Sequence, residues 1–270
     1  MTSDLCICTK NRYPLLLQNL KKNLPKINYE HLIIVDSTLK PNYEVLEQLM
    51  SEYGAYVACT PNAKIGFARN SGLYLSREEH IYYLDDDILV SDSWASQLKN
   101  SIGNCFAVSG CIIKGYNNDM LSKVHKKAYP SHGAGHTLFN RKHLLRIGGW
   151  DSSLHLGEDT ELYFRSQKHH FTWLHEHKAI CYHPYTLNQW VNHGTINGLG
   201  LAAAQKKHLN EYHTSHIFLK RFAGLLGAPI IYGLKFHPKM SFYCFKHRLN
   251  FIKGYAEGLK KNDTKSFELI

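Results

Sequence analysis

Short apolar runs alternate with segments of helical period through the first ninety residues, and nothing else in the chain constrains its fold as strongly. Residues 5–8, 31–36, 55–59 and 80–84 are brief apolar, β-branched or aromatic runs of the kind that form strands buried on both faces. Between them, 13–22, 43–53 and 65–76 space their apolar residues as helices do. Strand–helix alternation of this sort implies a parallel sheet with helices on both faces. Such sheets bind ligands outside the carboxyl ends of their strands. Further on, 106–113 reads as a strand, 137–140 and 172–175 as strands flanking a helix over 159–168, and 115–133 as a polar stretch of poor periodicity.

From about residue 201 the pattern changes to basic, aromatic helices at 217–226 and 241–261, separated by Pro229 and Pro238. Residues 201–270 hold 12 Lys and Arg against 4 Asp and Glu, whereas 1–200 hold 20 against 18, so most of the net charge of +10 lies in the tail. This divides the chain into a unit over 1–200 and an extension over 201–270. The apolar stretch 222–234 is too short to span a bilayer. Phe242, Tyr243, Phe245, Phe251 and Tyr255, interleaved with Lys246, Arg248, Lys253, Lys260 and Lys261, suit an interfacial anchor on an anionic membrane. Packing of these aromatics on the first unit, or in a homodimer interface, is the alternative. The tail carries no recognisable nucleic-acid motif. Seven cysteines without a C-x-x-C pair and no leader pattern imply reduced thiols and a cytoplasmic location, peripheral at the inner membrane face if the tail attaches.

Four segments carry chemistry. In Tyr82-Tyr83-Leu84-Asp85-Asp86-Asp87, an apolar strand runs into three carboxylates, which repel one another unless a cation lies among them. A hard divalent ion with a diphosphate would satisfy them, and a solvated acidic turn is the plainer alternative. In Gly157-Glu158-Asp159, the carboxylates open a helix, either as simple partners of its dipole or with one of them as a general base. In Gly66-Phe67-Ala68-Arg69-Asn70, Arg69 is a candidate phosphate clamp or a surface side chain. His183 ends a strand-like run and offers an imidazole beside the carboxylates; it is one of 18 histidines, and the nearby His169, His170, His175 and His177 lack metal-ligand spacing.

Together with Cys6-Ile7-Cys8-Thr9-Lys10-Asn11-Arg12, Ile33-Ile34-Val35-Asp36-Ser37 and Ile147-Gly148-Gly149-Trp150-Asp151, this ordered set resembles the family 2 glycosyltransferases of the GT-A fold over roughly residues 3–190. The resemblance implies an α/β, Rossmann-like, mixed but mainly parallel sheet flanked by helices, here with a C-terminal helical extension. It implies an inverting, metal-dependent transfer of a sugar from a nucleotide-diphosphate sugar, UDP-linked on family frequency, to a hydroxyl of a glycan or lipid-linked glycan in polysaccharide or glycoconjugate synthesis. By the same resemblance Thr9, Arg12 and Asp36 match positions lining the base and ribose pocket, and Arg69 one near the diphosphate. Asp85, with Asp86 beside it, matches the donor side of the DxD motif, and Asp85, Asp87 and His183 match ligands of Mn²⁺ or Mg²⁺. Asp159 matches the catalytic base with Glu158 beside it, and Trp150 and Asp151 match the acceptor loop. Two departures stand out: Cys8-Thr9-Lys10-Asn11 replaces the usual Pro-Thr-Tyr-Asn, and Asp36-Ser37-Thr38 is shorter than the family's loop. A nucleotidylyltransferase would carry a glycine-rich phosphate loop after the first strand, and 9–14 contains no glycine. A binding module without catalysis would not need both acidic segments.

Overall fold

The computed structural model describes residues 1–115, 128–184, 186–208 and 238–260. Its first half is the expected alternation. Strand β1 (Ser3–Thr9) is followed by α1 (Tyr13–Asn23), β2 (Leu32–Asp36), α2 (Tyr43–Tyr53), β3 (Tyr56–Cys59), α3 (Ile65–Leu75) and β4 (His80–Leu84). Then come β5 (Leu89–Val90), α4 (Trp94–Ile102), β6 (Ala107–Lys114), β7 (Tyr129–Pro130), β8 (His136–Asn140), α5 (Arg141–Arg146), α6 (Glu158–Lys168), β9 (Trp173–His183), α7 (Leu187–Lys207) and α8 (Pro238–Lys260). The strands form one sheet in the order β3-β2-β1-β4-β8-β6-β9-β5, with β7 paired to β6. Pairs β3–β2, β2–β1, β1–β4 and β6–β9 are parallel, whereas β8 runs antiparallel between β4 and β6. The order reverses between β1 and β4, so their carboxyl ends open the crevice in which a ligand sits.

Alternation along each strand sends neighbouring side chains to opposite faces, which is why the chain has two cores. On one face Leu5, Ile7, Ile34 and Tyr82 pack with Leu16 and Leu20 of α1, Leu46 and Leu49 of α2, and Trp94 and Leu98 of α4. On the other, Cys6, Cys8, Ile33 and Tyr83 meet Ala68 and Leu73 of α3, Leu144 of α5 and Leu162 of α6. Caps match the chain locally. Asn42 accepts from Val45 N–H to start α2, Gly54 (φ +62°) ends it, and Asn140 accepts from His143 N–H to start α5.

Two sequence expectations change. The separate runs at 172–175 and 179–182 are one strand, β9, with an irregularity where the register moves from Gly110↔Glu176 to Cys111↔Ile180. The expected division near residue 200 falls inside α7, which runs unbroken from 187 to 207. A Thr186–Gln189 capping box starts that helix. The expected helix at 241–261 is α8, begun slightly earlier. The expected helix at 217–226 and the apolar stretch 222–234 lie outside the described residues. No helix among the described residues is long and apolar enough to cross a membrane.

Helices α7 and α8 pack through glycine. A Cβ on Gly194 or Gly198 would strike the backbone of His247 or Phe251, and one on Gly254 or Gly258 would strike the Thr195 backbone or the Ala202 side chain. The pair continues into a third core of Phe164, Leu201, Ala202, Ala204, Phe251 and Tyr255, which seats it on α6. Alanine at position 254 would gain about 1 kcal/mol of helix propensity, but overpacking typically costs about 1–3 kcal/mol. Gly254→Ala is therefore expected to lower stability in denaturant unfolding; a gain would show that the helices do not approach so closely.

Candidate active site

The three aspartates after β4 do not share one environment. Asp85 lies nearest the cleft, its backbone N–H bonded to the Gly135 carbonyl at 2.9 Å, and Ile88 N–H turns back to the Asp85 carbonyl. A Cβ at position 135 would occupy the space of the Asp85 carboxylate, so glycine is required there for that side chain to lie against the β7–β8 connection. Asp86 faces inward, where Thr9 Oγ1 donates to it at 2.7 Å and Arg12 pairs with it at 2.6 Å. Burial pushes its carboxyl up to about 7, against the pull of Arg12 and Thr9. Asn19 and Asn23, one turn apart on α1, donate to the Asp86 and Ile88 carbonyls and hold the turn from below. Asp87 accepts from Arg12 at 2.8 Å and faces His183 Nε2 at 3.5 Å. Burial, then the neighbouring Asp85, raises its carboxyl, with Arg12 opposing.

Arg69 joins the other acidic segment to this one. Its guanidinium is buried and donates to Glu158 at 2.6 Å, Asp159 at 2.8 Å and Asp85 at 3.2 Å. Tyr83, on the strand beneath, donates its hydroxyl to the Arg69 carbonyl. Burial and the Asp159 charge raise the Glu158 carboxyl, with Arg69 opposing. Glu158 and Asp159 begin α6 after Gly157, whose φ of +83° and lack of a capping side chain leave the helix N-terminus open to their charge. A Cβ on Gly157 would meet the backbone of Gly200, so α7 seats directly on this turn. Two guanidinium groups thus face five carboxylates, of which Asp86, Asp87 and Glu158 are raised toward their neutral forms by burial.

Asp85 and Asp159 line a cleft of about 610 Å³ with Lys114, His132, His136, Tyr163 and His183, and with His193, Asn197 and Leu201 of α7 and Phe251 of α8. His136 is almost fully buried, and its Nε2 has no hydrogen-bond partner among the described residues. Burial holds His183 at about 3 and His132 and His193 at about 4, so their imidazoles are neutral.

Several positions named from the sequence have side chains committed to other partners in the structure. Thr9 is buried and bonded to Asp86. The Asp36 carboxylate is fully buried, accepting from Tyr13 Oη and Thr38 N–H. Arg69, expected near a diphosphate, is held by carboxylates. Trp150, expected on the acceptor side, is a core residue packed edge-on against Tyr83 and Phe139, its backbone fastened by Asn70. Asp151 pairs with Lys207 near the end of α7 and caps the turn at Ser153; burial raises its carboxyl, but Lys207 and Ser153 together hold it below the ordinary range. The cleft wall from α7 and α8, with His136 and Tyr163, was not named from the sequence. The i, i+4, i+8 spacing of His193, Asn197 and Leu201 was its one available signal.

Two carboxylates and a neutral imidazole are a donor set that suits Mn²⁺, and Asp85, Asp87 and His183 fit such an ion in chemistry. Asp85 is turned toward Arg69 while Asp87 and His183 face each other. Among the described residues, ligand atoms of three such side chains lie within 4.8 Å of one another at Asp4, His31 and Glu78. That group is a clasp at the opposite end of β1: Asp4 already accepts from Ser76 Oγ and the N–H groups of Arg77 and Glu78, and pairs with His31.

The model of the family "Glycosyl transferase family 2" matches residues 4–170. No curated protein matches the chain. Among solved structures, the fold is similar to the mannosyltransferase PcManGT from Pyrobaculum calidifontis, in complex with GDP-Man and Mn²⁺, at 13% identity and a TM-score of 0.71, covering 97% of this chain and 88% of that one. It is also similar to GalNAc-T7 with UDP, GalNAc and Mn²⁺, at 17% identity and a TM-score of 0.54, covering 68% of this chain and 43% of that one.

The neutral histidines make acid destabilising. Below pH 6.5 the unfolded chain takes up protons that buried His132 refuses until about pH 4, so its share of stability is lost as pH falls through that window. Asp86, raised instead, acts in the opposite direction, so the comparison needs a single-site variant. Between pH 7 and 5.5 the wild type is expected to lose about 1 kcal/mol relative to His132→Asn in denaturant unfolding. A pH-independent difference would mean that His132 is protonated in the folded protein.

Proposed function

We propose, for a chain that belongs to glycosyl transferase family 2 and is therefore a nucleotide-sugar-dependent glycosyltransferase, that transfer takes place in the cleft between Asp85 and Asp159 with inversion at the anomeric carbon. The observation that carries this is the convergence of carboxylates from β4 and α6 on one buried guanidinium, with Asp87 and His183 beside it. A UDP-linked sugar is the donor we infer, and a hydroxyl of a glycan or lipid-linked glycan the acceptor. The relative solved with GDP-Man and the one solved with UDP and GalNAc place both nucleotides in the test below.

In this reading Asp159, partly exposed at the head of α6, accepts the proton of the acceptor hydroxyl. The acceptor oxygen forms its bond to the anomeric carbon as the bond to the diphosphate oxygen breaks on the opposite side. Asp85, Asp87 and His183 would hold Mn²⁺ or Mg²⁺, which when bound neutralises charge on the departing diphosphate. Arg69 fixes Asp159 and Asp85 relative to one another, and Glu158 fills the third position on the same guanidinium. Arg12, buttressed by Asp86, orients Asp87, and Thr9 and Asp36 shape the floor next to it without presenting free polar atoms.

The outer face of α8 supports the peripheral membrane reading. Phe242, Lys246, Lys253, Ala256, Glu257, Leu259 and Lys260 are exposed, whereas Cys244, His247, Phe251 and Tyr255 are buried. A face of this composition suits an anionic surface at the cytoplasmic side of the cell membrane. Lys246→Glu combined with Lys253→Glu is expected to abolish co-sedimentation with anionic vesicles; equal pelleting with neutral vesicles would remove the electrostatic argument.

Transfer itself is tested by thermal shift with UDP and GDP, with and without Mn²⁺, followed by turnover of the matching nucleotide sugars. Asp159→Asn is expected to slow transfer by about 10²–10⁴-fold, the usual worth of a general base, with donor affinity retained. Gly135→Ala displaces the Asp85 carboxylate and is expected to weaken Mn²⁺-dependent nucleotide binding by at least about tenfold, as loss of a metal ligand's support does. Normal turnover in the Asn variant would refute the assigned base.

A further inference from the structure

Strands β7, β6 and β9 bring imidazoles and a thiol together beside the cleft. Strand β7 pairs with β6 through Cys111↔Pro130, and β6 pairs with β9 through Ser109↔His175. His132, two residues beyond Pro130, therefore reaches His175 across β6, and their Nε2 atoms stand 3.0 Å apart. The ring of His132 lies against Tyr163 at 3.8 Å between ring centres and edge-on to Trp173, contacts that fix its direction. Further along β9, His177 Nδ1 meets Cys111 Sγ at 3.5 Å. His169, His170, His175 and His177 show no metal-ligand spacing in sequence because the partner of His175 stands 43 residues earlier in the chain.

We infer that His132 and His175 are the protein ligands of a second metal site, for a borderline divalent ion of the zinc class, separate from the site at Asp85, Asp87 and His183. Its existence does not depend on the transferase reading. Two nitrogens about 2.0–2.1 Å from a zinc ion lie about 2.9 Å apart at a right angle and about 3.3 Å apart at the tetrahedral angle. The 3.0 Å separation of the two Nε2 atoms falls within that span. Neutral imidazoles without a carboxylate suit zinc, whereas Mg²⁺ takes oxygen. Burial lowers the basicity of both rings, so they are neutral at pH 7. Two neutral rings in this contact share one proton between their Nε2 atoms; when the ion enters, the donor ring carries that proton on Nδ1, and none leaves the protein. The pair is under-satisfied as it stands, because Nδ1 of His175 is buried with no hydrogen-bond partner among the described residues. Water completes the coordination, since no third His, Cys, Asp or Glu among the described residues brings a ligand atom within 4.8 Å of both. The ion fastens β9 to the connection after β7, which also carries Gly135, whose carbonyl accepts from Asp85 N–H.

The test uses the full chain and Zn²⁺ alone, at pH 7. Calorimetric titration is expected to show a site that weakens at least about tenfold in His132→Asn and in His175→Asn, since loss of an outer partner of a ligand already costs about 10–100-fold. His31→Ala, which dismantles the group at Asp4 and Glu78, and Asp87→Asn are both expected to retain that site. A variant that unfolds would also lose it, so the wild type supplies the second measurement. Anomalous diffraction at the zinc edge from crystals soaked in Zn²⁺ is expected to place a peak about 2.0–2.1 Å from both Nε2 atoms. Soaking with Mg²⁺ in place of Zn²⁺ is expected to leave the two rings in direct contact. Unchanged affinity in either His variant, loss of the site in His31→Ala or Asp87→Asn, zinc peaks elsewhere only, or Mg²⁺ bound between the rings would each overturn the assignment.

Discussion

A single buried guanidinium ties together segments that are sixteen to ninety residues apart in the chain, since Arg69 of α3 bonds Asp85 after β4 and both Glu158 and Asp159 of α6. Three carboxylates brought this close would repel one another and resist burial. The guanidinium offsets part of that repulsion and fixes the angle between the two acidic segments through its planar fork. Its own position is set by Tyr83, whose ring lies in the core beneath and whose hydroxyl meets the Arg69 carbonyl. The acidic cluster therefore inherits its geometry from the sheet. Burial relieves part of the remaining repulsion by raising the carboxyls of Asp86, Asp87 and Glu158 toward their neutral forms.

The C-terminal helices belong to the same construction. Glycines at four positions bring α7 and α8 within backbone contact, and a fifth contact, Gly200 on Gly157, presses α7 onto the turn that opens α6. Lys207 reaches Asp151 from the far end of α7 and fastens the loop before that turn. A helix held at both ends in this way is a wall of the cleft, and it supplies His193, Asn197 and Leu201 to it. The close pairing keeps the basic outer face of α8 and the cleft-facing side of α7 apart.

Much of the fold was legible because it depends on local pattern. The parallel strands announced themselves as short runs apolar on both faces, and the helices between them by their period; β4 and α2 match the expected limits. Asp85, Asp159 and His183, named from the sequence for their chemistry, do line one cleft, because carboxylates and an imidazole that end apolar strands or open a helix gather at one edge of the sheet. The inward turn of Asp86 was not legible, since three adjacent aspartates look alike until Thr9, Asn19 and Arg12 converge on one of them. Nor was the core position of Trp150, because an aromatic after Gly148-Gly149 reads equally well as a cleft residue or a packed one. The continuity of α7 through residue 200 was hidden by its glycines, which lower helix propensity and become favourable only when α8 lies against them.

By itself, then, the amino-acid order determined the layered α/β arrangement, the end of the sheet at which the carboxylates gather, and the residue types available there, since these follow from periodicity and from the scarcity of carboxylates beside apolar strands. Tertiary structure decided which carboxylate faces the cleft, that Arg12 and Arg69 are both held by carboxylates, and that α7 and α8 supply one wall of the cleft. Those are outcomes of side chains meeting across dozens of intervening residues. Such meetings are set by packing distance, and no local pattern in the chain encodes it.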